Sequence, residues 1–422
     1  MFSGFKSDFS KNIFALIKGT TLSQAIPIMI SPVLTRLFTP SEFGYYSLYI
    51  SIVAFLTILS TARYEFAIVL PKDGKKAINI LALSIMIATT VSLFVFVLLL
   101  FFKDEFLNFL DAKYLANVIY LLPISLFLAG VIQSLNLWFN RKKYFSHMAK
   151  AQIYQSLTIA SSQLSFGFFQ LTNGLIYGNL LGRFFALFVY LKKFLQKDVR
   201  YLVFVNKQMM ISLMKRYKDF PLINSWHALS DVARTSGVVF LISLFFGSTV
   251  LGFFTLSIKV LQVPISVIGS ALGQVLYQKF SQLNNSDRSL YLYVKSIVIK
   301  LSLLSCVLFF VLYFVAPYIF GLIFSKEWEE VGVYVQILIP YLFINFILSP
   351  ISAIPIILEK QKEYFYISLF INLSLPFFIY LSYKNGFDIL KTLYVYSYAG
   401  FLSYTCVLFW ILYILKKKEA KV

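Results

Sequence analysis

Runs of about 20 apolar residues recur along almost the whole chain, and only short polar segments separate them. A helix needs about 20 such residues to cross the roughly 30 Å hydrocarbon core of a bilayer. Only 13% of the 422 residues are charged and 59% are hydrophobic, so the polar side chains could not cover a soluble globule of this size. The sequence therefore predicts an all-α integral membrane protein.

The apolar runs predict twelve transmembrane helices, near residues 12–35, 44–69, 77–102, 114–139, 149–171, 174–194, 220–246, 250–276, 296–319, 331–357, 364–383 and 389–415. An even number of spans puts both termini on one side of the membrane. Most basic residues outside the spans lie on that side, whereas the opposite side has only Arg36, Lys103, Lys113, Lys326, Lys384 and Lys391. The positive-inside rule therefore places both termini in the cytoplasm. Because topology accounts for most of the net charge of +20, nucleic acid is not an expected partner.

Two segments about half a chain apart resemble each other. The stretch from Gly44, "GYYSL", opens the second span, and the stretch from Gly252, "GFFTL", opens the eighth. A duplicated six-helix unit produces such a match, and an even number of spans in each unit makes the two repeats parallel. We therefore expect two six-helix bundles around a central cleft, 1–197 and 219–422.

The segment 198–218 would join the two bundles as a cytoplasmic basic linker. It is moderately amphipathic, "VRYLVFVNKQMMISLMKRYKD". Two interpretations are open at this point: the segment lies on the inner leaflet beside anionic lipid, or it is a solvated tether.

Several charged residues fall inside the predicted spans, where an ionisable side chain costs at least about 2.5 kcal/mol on insertion scales. Arg183 lies halfway along the sixth span, Arg234 lies midway in the seventh, and Lys259 lies about a third of the way into the eighth. Basic residues in the spans outnumber acidic ones, so pairing cannot neutralise all of them. An excess of buried cations favours an anionic passenger, above all a diphosphate, which arginine binds with forked donors.

The two acidic residues of the spans each stand close to an arginine. Asp231 precedes Arg234 by three residues, so these two side chains share a helical face and can neutralise each other. Arg63 and Glu65 are two residues apart and would point to different faces, so we expect each to pair with another span rather than with its neighbour.

Amide side chains in the fifth span have two open interpretations. Gln152 and Gln155 could line the same cavity as the cations and hydrogen-bond sugar hydroxyls, or they could join helices. The sequence contains no phosphate-binding loop, no H-E-x-x-H and no Cys/His ligand cluster. We therefore expect neither an enzyme nor a metal site nor a cofactor, apart from a coupling Na⁺ or H⁺.

The first two spans contain the most characteristic segments, "SPVLTRLFTPSEFGYYSLYISI" and "ARYEFAIVLP", which a basic loop follows. In these segments, in its twelve predicted spans and in its half-length repeat, the chain resembles the bacterial polysaccharide (O-antigen and capsule repeat-unit) flippases. That family belongs to the multidrug/oligosaccharidyl-lipid/polysaccharide flippase superfamily.

The resemblance implies a multi-pass protein of the bacterial cytoplasmic membrane that moves undecaprenyl-diphosphate-linked oligosaccharide to the outer leaflet, coupled to an ion gradient. Its expected partners are membrane lipids, the lipid-linked oligosaccharide, a polysaccharide polymerase and other glycan assembly proteins. The expected substrate-binding residues are Arg63, Arg183, Arg234, Lys259, Gln152 and Gln155. The expected ion-coupling residues are Glu65 and Asp231. A multidrug exporter of the same fold and a non-transporting scaffold of a glycan assembly complex are the alternatives.

Overall fold

Helices account for almost all of the structure, a computed structural model that describes residues 18–284 and 289–419. The first eight helices are 18–29 (α1), Ser31–Leu37 (α2), Pro40–Ser60 (α3), Gly74–Phe109 (α4), Leu122–Arg141 (α5), Phe145–Phe168 (α6), Gly174–Lys197 (α7) and Lys207–Arg216 (α8). The remaining six are Ser225–Asn284 (α9), Leu290–Phe324 (α10), Glu329–Leu348 (α11), Ile354–Ile357 (α12), Gln361–Lys384 (α13) and Ile389–Glu419 (α14). The start of the first predicted span, 12–17, and both chain ends lie outside the described residues.

Within those described ranges, nine helical stretches are long and apolar enough to cross a membrane. The fifth predicted span is also present, as the 24-residue helix α6, although its sequence is more polar. The seventh and eighth predicted spans both lie in α9. The prediction of twelve spans is consistent with this arrangement.

The backbone of α9 leaves the helical conformation at Gly247, where φ is 85° and ψ is 173°. A side chain rarely tolerates such a positive φ, so glycine permits the break. The predicted boundary between the seventh and eighth spans falls at the same place. The chain also divides nearby into two compact units, the first ending at Leu244 and the second beginning at Phe245.

Helix α3 begins and ends with clear local signals. The Thr39 hydroxyl accepts a hydrogen bond from the Glu42 N–H (3.4 Å), and the Thr39 N–H donates to Glu42 Oε2 (2.9 Å), which is a capping box. The helix ends at Ser60 because Ala62 and Arg63 adopt positive φ angles of 46° and 61°. The second span is therefore shorter than the predicted 44–69, and that prediction was wrong at its end.

Residues Tyr64–Val69 form a 3₁₀ helix that packs between α4 and α5. Arg141, at the end of α5, covers the carbonyl groups where this short helix ends. Its guanidinium donates to the carbonyl oxygens of Ile68 and Val69 (3.4 Å each) and to that of Pro71. By binding carbonyls that the end of the helix leaves unpaired, Arg141 holds the connection from α3 to α4 in place.

The segment 198–218 begins on a buried acid. Asp198 is only 2% exposed, and its carboxylate accepts a hydrogen bond from Trp138 Nε1 (3.1 Å). The ammonium group of Lys142 lies 3.5 Å from the same carboxylate and 3.9 Å from the centre of the Tyr201 ring. This contact fixes the start of the segment to the end of α5.

A buried amide holds the middle of the same segment. The Asn79 side chain donates to the Phe204 carbonyl (2.8 Å) and accepts from the Asn206 N–H (2.8 Å), and Asn79 is fully buried. Further along, the Tyr64 hydroxyl donates to the Met214 carbonyl (3.0 Å). The segment is therefore docked on the first unit and is not a free tether.

The second unit is built from α10, α11, α13 and α14 together with the later part of α9. Trp328 is fully buried at its core, and the Phe253 ring meets it edge-on at 5.8 Å. Helices α10 and α11 approach closely at Gly332, where a Cβ atom would lie 2.5 Å from Pro317 Cα. The predicted repeat stays a prediction, although Gly44 and Gly252 are both buried, each in its own unit.

We predict that Asn79→Ala releases the segment 198–218 from α4. The substitution leaves the Phe204 carbonyl and the Asn206 N–H without their partner, which should cost about 2–4 kcal/mol in total. Limited proteolysis of the purified protein should then cut within 198–218 much faster than in the native protein. Asn108→Ala, at an exposed asparagine, is the control; equal cleavage of both variants would contradict the docking role.

Candidate functional site

Arg183 is half-buried in α7 of the first unit and is held by neutral groups. Its Nε donates to the Asn179 side-chain oxygen (2.9 Å), and its Nη1 donates to the Ser125 carbonyl (3.4 Å). Asn179 in turn donates to the Tyr46 hydroxyl (3.0 Å). Three helices, α3, α5 and α7, therefore meet around one guanidinium.

A second pair of hydrogen-bonding groups supports the same cluster. The hydroxyl groups of Tyr49 and Ser125 lie 2.7 Å apart, and both residues are almost fully buried. In the part of the chain that the structure describes, no carboxylate forms an ion pair with Arg183. The site thus keeps a positive charge that only neutral oxygens solvate, and an arginine has further N–H donors for an anion.

Close packing of α6 on α7 determines where Arg183 sits. A Cβ atom at Gly182 would lie 2.2 Å from Ile159 Cγ1 and 3.0 Å from the Gln155 carbonyl oxygen. One turn earlier, a Cβ atom at Gly178 would lie 2.5 Å from Gln163 Cγ. Only glycine fits at these two contacts, so the small residues bring α6 against the helix turn that carries Arg183.

The two predicted glutamines of α6 have different surroundings. Gln155 is half-buried, and its backbone contacts α7 at Gly182, next to Arg183. The Gln152 side chain accepts a hydrogen bond from the Thr20 hydroxyl (2.8 Å), so it joins α6 to α1. Of the two interpretations that the sequence left open for Gln152, this contact supports the one in which it joins helices.

Arg63 and Glu65 lie just beyond α3 in the left-handed turn and the 3₁₀ helix. Their side chains pair with each other, with 3.8 Å between Arg63 Nη1 and Glu65 Oε1. The expectation that neither pairs with its neighbour was wrong, because the segment is not the helix on which that argument depended. The Arg63 guanidinium also stacks over the Phe66 ring at 4.7 Å.

Glu65 has one partner from another span. It is fully buried, and its Oε1 accepts a hydrogen bond from Gln133 Nε2 of α5 (2.9 Å). Three buried polar atoms beside it have no hydrogen-bond partner among the described residues: Thr61 Oγ1, Arg63 Nε and Glu65 Oε2. Unpaired buried polar atoms cost free energy of folding unless a proton or an ion is shared among them, and this sets the turn apart chemically.

Burial raises the pKa of the Glu65 carboxyl, and hydrogen bonding at the carboxyl together with the charge of the nearby Arg63 opposes that rise only in part. Arg63 has a weaker effect because its guanidinium is 3.8 Å away and its side chain is 22% exposed. The carboxyl therefore holds its proton to a higher pH than an exposed glutamate would.

The other three predicted residues lie in α9. Asp231 is exposed and Arg234 is half-buried in the part of α9 that belongs to the first unit. Lys259 is half-buried in the part that belongs to the second unit. The roles of these three residues stay predictions.

Sequence reasoning missed Tyr46 and Ser125 beside Arg183 and Gln133 beside Glu65. Gln133 is an amide inside an apolar span, and this signal could have identified it as a polar contact. Tyr46 and Ser125 gave no such signal, because hydroxyl residues are common in membrane helices. In the described ranges, no group of three His, Cys, Asp or Glu side chains could hold a metal ion.

Residues 33–332 match the sequence family of polysaccharide biosynthesis proteins, which covers well over half of the chain. This match confirms the resemblance to polysaccharide flippases. The family and the structural neighbours are flippases and transporters rather than enzymes. No curated relative matches the sequence at a significant level.

Solved membrane transporters share the fold. The lipid II flippase MurJ, in an inward closed conformation, has a TM-score of 0.71 and 15% identity, covering 92% of this chain and 87% of that chain. An inward-facing multidrug resistance MATE family transporter of the MOP superfamily has a TM-score of 0.59 and 14% identity, covering 95% and 94%. A MOP superfamily transporter from Pyrococcus furiosus, whose reversed pocket polarity suggests a different function, has a TM-score of 0.54 and 14% identity, covering 97% of each chain.

At these identities the likeness shows the fold alone. It confirms the predicted fold class, an all-α multi-pass membrane protein of the transporter type.

We predict that Glu65→Gln removes a pH-dependent loss of stability. The raised pKa makes the native protein most stable while the carboxyl is protonated, and that stability is lost as the pH rises from the ordinary carboxyl range through the raised value. The variant keeps an oxygen that can accept from Gln133 but has no proton to lose. Thermal unfolding in detergent should therefore give similar melting temperatures at about pH 5 and a higher one for the variant at about pH 8.

Glu105→Gln, at an exposed glutamate, serves as the matched control and should follow the native profile. If Glu65→Gln also follows the native profile at every pH, Glu65 is not a buried acid that resists ionisation.

Proposed function

Because the chain belongs to the polysaccharide biosynthesis protein family, we propose that it is a flippase for lipid-linked glycans. It moves undecaprenyl-diphosphate-linked oligosaccharide repeat units from the inner to the outer leaflet of the bacterial cytoplasmic membrane. The product serves the synthesis of O-antigen or capsular polysaccharide. The observation that carries the proposal is the environment of Arg183, a cation that neutral oxygens hold in an apolar helix bundle.

The charge of the passenger follows from that environment. A cation that an acid neutralises has little remaining attraction for an anion, whereas one solvated by an amide and a carbonyl retains it. A diphosphate carries the opposite charge and presents several oxygens to the arginine fork. Undecaprenyl diphosphate supplies both this charge and a lipid tail that stays in the bilayer.

The other cations would bind the passenger at successive depths. Arg63 would receive the diphosphate at the cytoplasmic mouth of the cleft while Glu65 is protonated, because an ionised Glu65 at 3.8 Å would neutralise it. Arg234 and Lys259 would contact it further along, and Gln152 and Gln155 would hydrogen-bond the sugar hydroxyls. The contact of Gln152 with Thr20 would have to open for this role, which makes Gln155 the stronger candidate of the two.

Transport would follow alternating access, in which the bundles 1–197 and 219–422 rock about a site near the middle of the membrane. Both termini and the linker 198–218 would be cytoplasmic, as the distribution of basic residues favours. A polysaccharide polymerase and other glycan assembly proteins would receive the product.

Ion coupling would use Glu65. A buried carboxyl with a raised pKa and one unpartnered oxygen can take up and release a proton as its surroundings change. Asp231 is the alternative coupling residue, and a sodium ion is the alternative to the proton. A multidrug exporter for cationic compounds would instead need acids around its cavity, which the environment of Arg183 does not provide.

We predict that Arg183→Gln abolishes outer-leaflet display of the glycan. Cells that lack the protein should accumulate the lipid-linked repeat unit in the inner leaflet, and the native sequence should restore outer-leaflet glycan. At matched expression the variant should restore less than about a tenth of it, because loss of a charge-assisted contact costs about 1.5–3 kcal/mol.

Lys192→Gln removes an exposed cation from the same helix and should restore transport fully. If glycan reaches the outer leaflet without the protein, and no second flippase explains it, the flippase proposal is wrong. If the Arg183 variant acts like the native protein, the passenger does not depend on this cation.

A further inference from the structure

A cavity of about 570 Å³ lies between the start of α4 and the docked segment 198–218. Three cations line it: Lys75 and Lys76 from the first turn of α4, and Arg216 from the last turn of α8. Asn206, Gln208 and Ser212 add hydrogen-bonding groups. All of these residues belong to the first unit, and the proposed transport pathway uses none of them.

The cavity has a fixed shape because buried contacts hold both of its walls. Asn79 bonds to the Phe204 carbonyl and the Asn206 N–H, and the Asn206 side chain accepts from the Gln208 N–H (2.8 Å). The Lys75 ammonium lies 4.5 Å from the centre of the Phe204 ring. The basic groups are therefore gathered before any ligand arrives, which lowers the ordering cost of binding.

The electrostatics of the cavity favour an anion. No carboxylate is among its lining residues in the described part of the chain. The nearest acid in sequence, Asp73, directs its Oδ1 to the Lys75 N–H at 2.8 Å and so caps α4. Lys75, Lys76 and Arg216 are exposed. Among the described residues, no carboxylate forms an ion pair with any of the three, so their positive charges are not neutralised.

The rim of the cavity identifies the source of the anion. Leu202, Val203 and Phe204 are 46%, 85% and 41% exposed, so an apolar ridge stands beside the basic groups. A soluble anion makes no apolar contact with such a ridge, whereas a lipid has an acyl chain next to its phosphate that can contact it. Helix α4 runs from Gly74 to a break in the helical conformation at Phe102, about 42 Å, which still exceeds the hydrocarbon core. Its first turn can therefore lie at the level of the headgroups.

We propose that this cavity binds the phosphate headgroup of an anionic membrane lipid of the inner leaflet. Lys75, Lys76 and Arg216 contact the phosphate, and Val203 with its neighbours inserts at the boundary of the acyl chains. The lipid fastens the segment 198–218 to the leaflet. The ligand is a bulk lipid and not the passenger, so this inference goes beyond the proposed function.

The test compares the full-length protein with the variant K75Q/K76Q/R216Q in nanodiscs. The nanodiscs hold phosphatidylcholine with a trace of phosphatidylglycerol, and native mass spectrometry after gentle release counts the retained lipid. We expect the native protein to enrich phosphatidylglycerol, and the variant to lose at least about tenfold in that enrichment at low salt, because clustered basic residues attract anionic headgroups additively. Val203→Asp should also reduce the enrichment, since it places a like charge at the ridge.

The control variant K279Q/K295Q/K362Q removes three exposed cations of the second unit that do not line the cavity, and it should retain the native enrichment. Equal enrichment by the native protein and the cavity variant would overturn the proposal. It would also fail if millimolar inorganic phosphate displaced the lipid from the native protein and Val203→Asp had no effect on the enrichment, because the cavity would then be a site for a soluble anion. Preferential retention of an added polyprenyl diphosphate over phosphatidylglycerol would assign the cavity to the passenger instead.

Discussion

Where a polar group is buried in protein or lipid, it has no water to bind, so the protein itself must supply its partner. This constraint explains why the polar residues of this chain occur in small cross-helix groups. Arg141 covers the carbonyls at the end of the 3₁₀ helix, and Asn79 bridges α4 to the docked segment. Arg183 obeys the same rule with an amide and a carbonyl as its partners. Because these partners are neutral, Arg183 keeps its positive charge. The packing that holds Arg183 therefore also supports its proposed role in binding an anion.

The turn after α3 departs from the rule, and the departure has chemical consequences. Two consecutive residues without a glycine take up left-handed conformations, which cost about 1–3 kcal/mol each. Within the same turn, Thr61, Arg63 and Glu65 each leave a buried polar atom without a partner. Strain and unsatisfied polarity persist where the surrounding structure enforces them, and such places are commonly functional. This is the physical basis on which we propose ion coupling at Glu65.

The fold could be predicted from the sequence to the extent that apolar run length controls it. The helices match most predicted spans, and the break at Gly247 lies where the seventh and eighth spans were divided. The end of α3 could not be predicted, because Ala62 and Arg63 are not typical turn residues and the apolar pattern continues past them. The 3₁₀ helix that follows this turn is held by long-range contacts such as those of Arg141 with the Ile68 and Val69 carbonyls, which sequence spacing does not reveal.

The candidate functional site was likewise only partly predictable from the sequence. The depth of Arg183 in its span was readable from the sequence, but its neutral partners on α3 and α5 depend on helix packing. The pairing of Arg63 with Glu65 was predicted wrongly because it was argued on an ideal helix. Gln133, the cross-helix partner of Glu65, comes from another span and becomes visible only when α5 is placed beside the turn.

The most direct measurement of the central claim is leaflet transfer by the purified protein in vesicles. Two lipids with the same oligosaccharide would be compared, one with a diphosphate and one with an uncharged linkage, and a membrane-impermeant glycosidase would report arrival at the outer surface. We expect faster transfer of the diphosphate lipid than in protein-free vesicles, and little transfer of the uncharged one. Equal transfer of both lipids, or no transfer above that of protein-free vesicles, would contradict it.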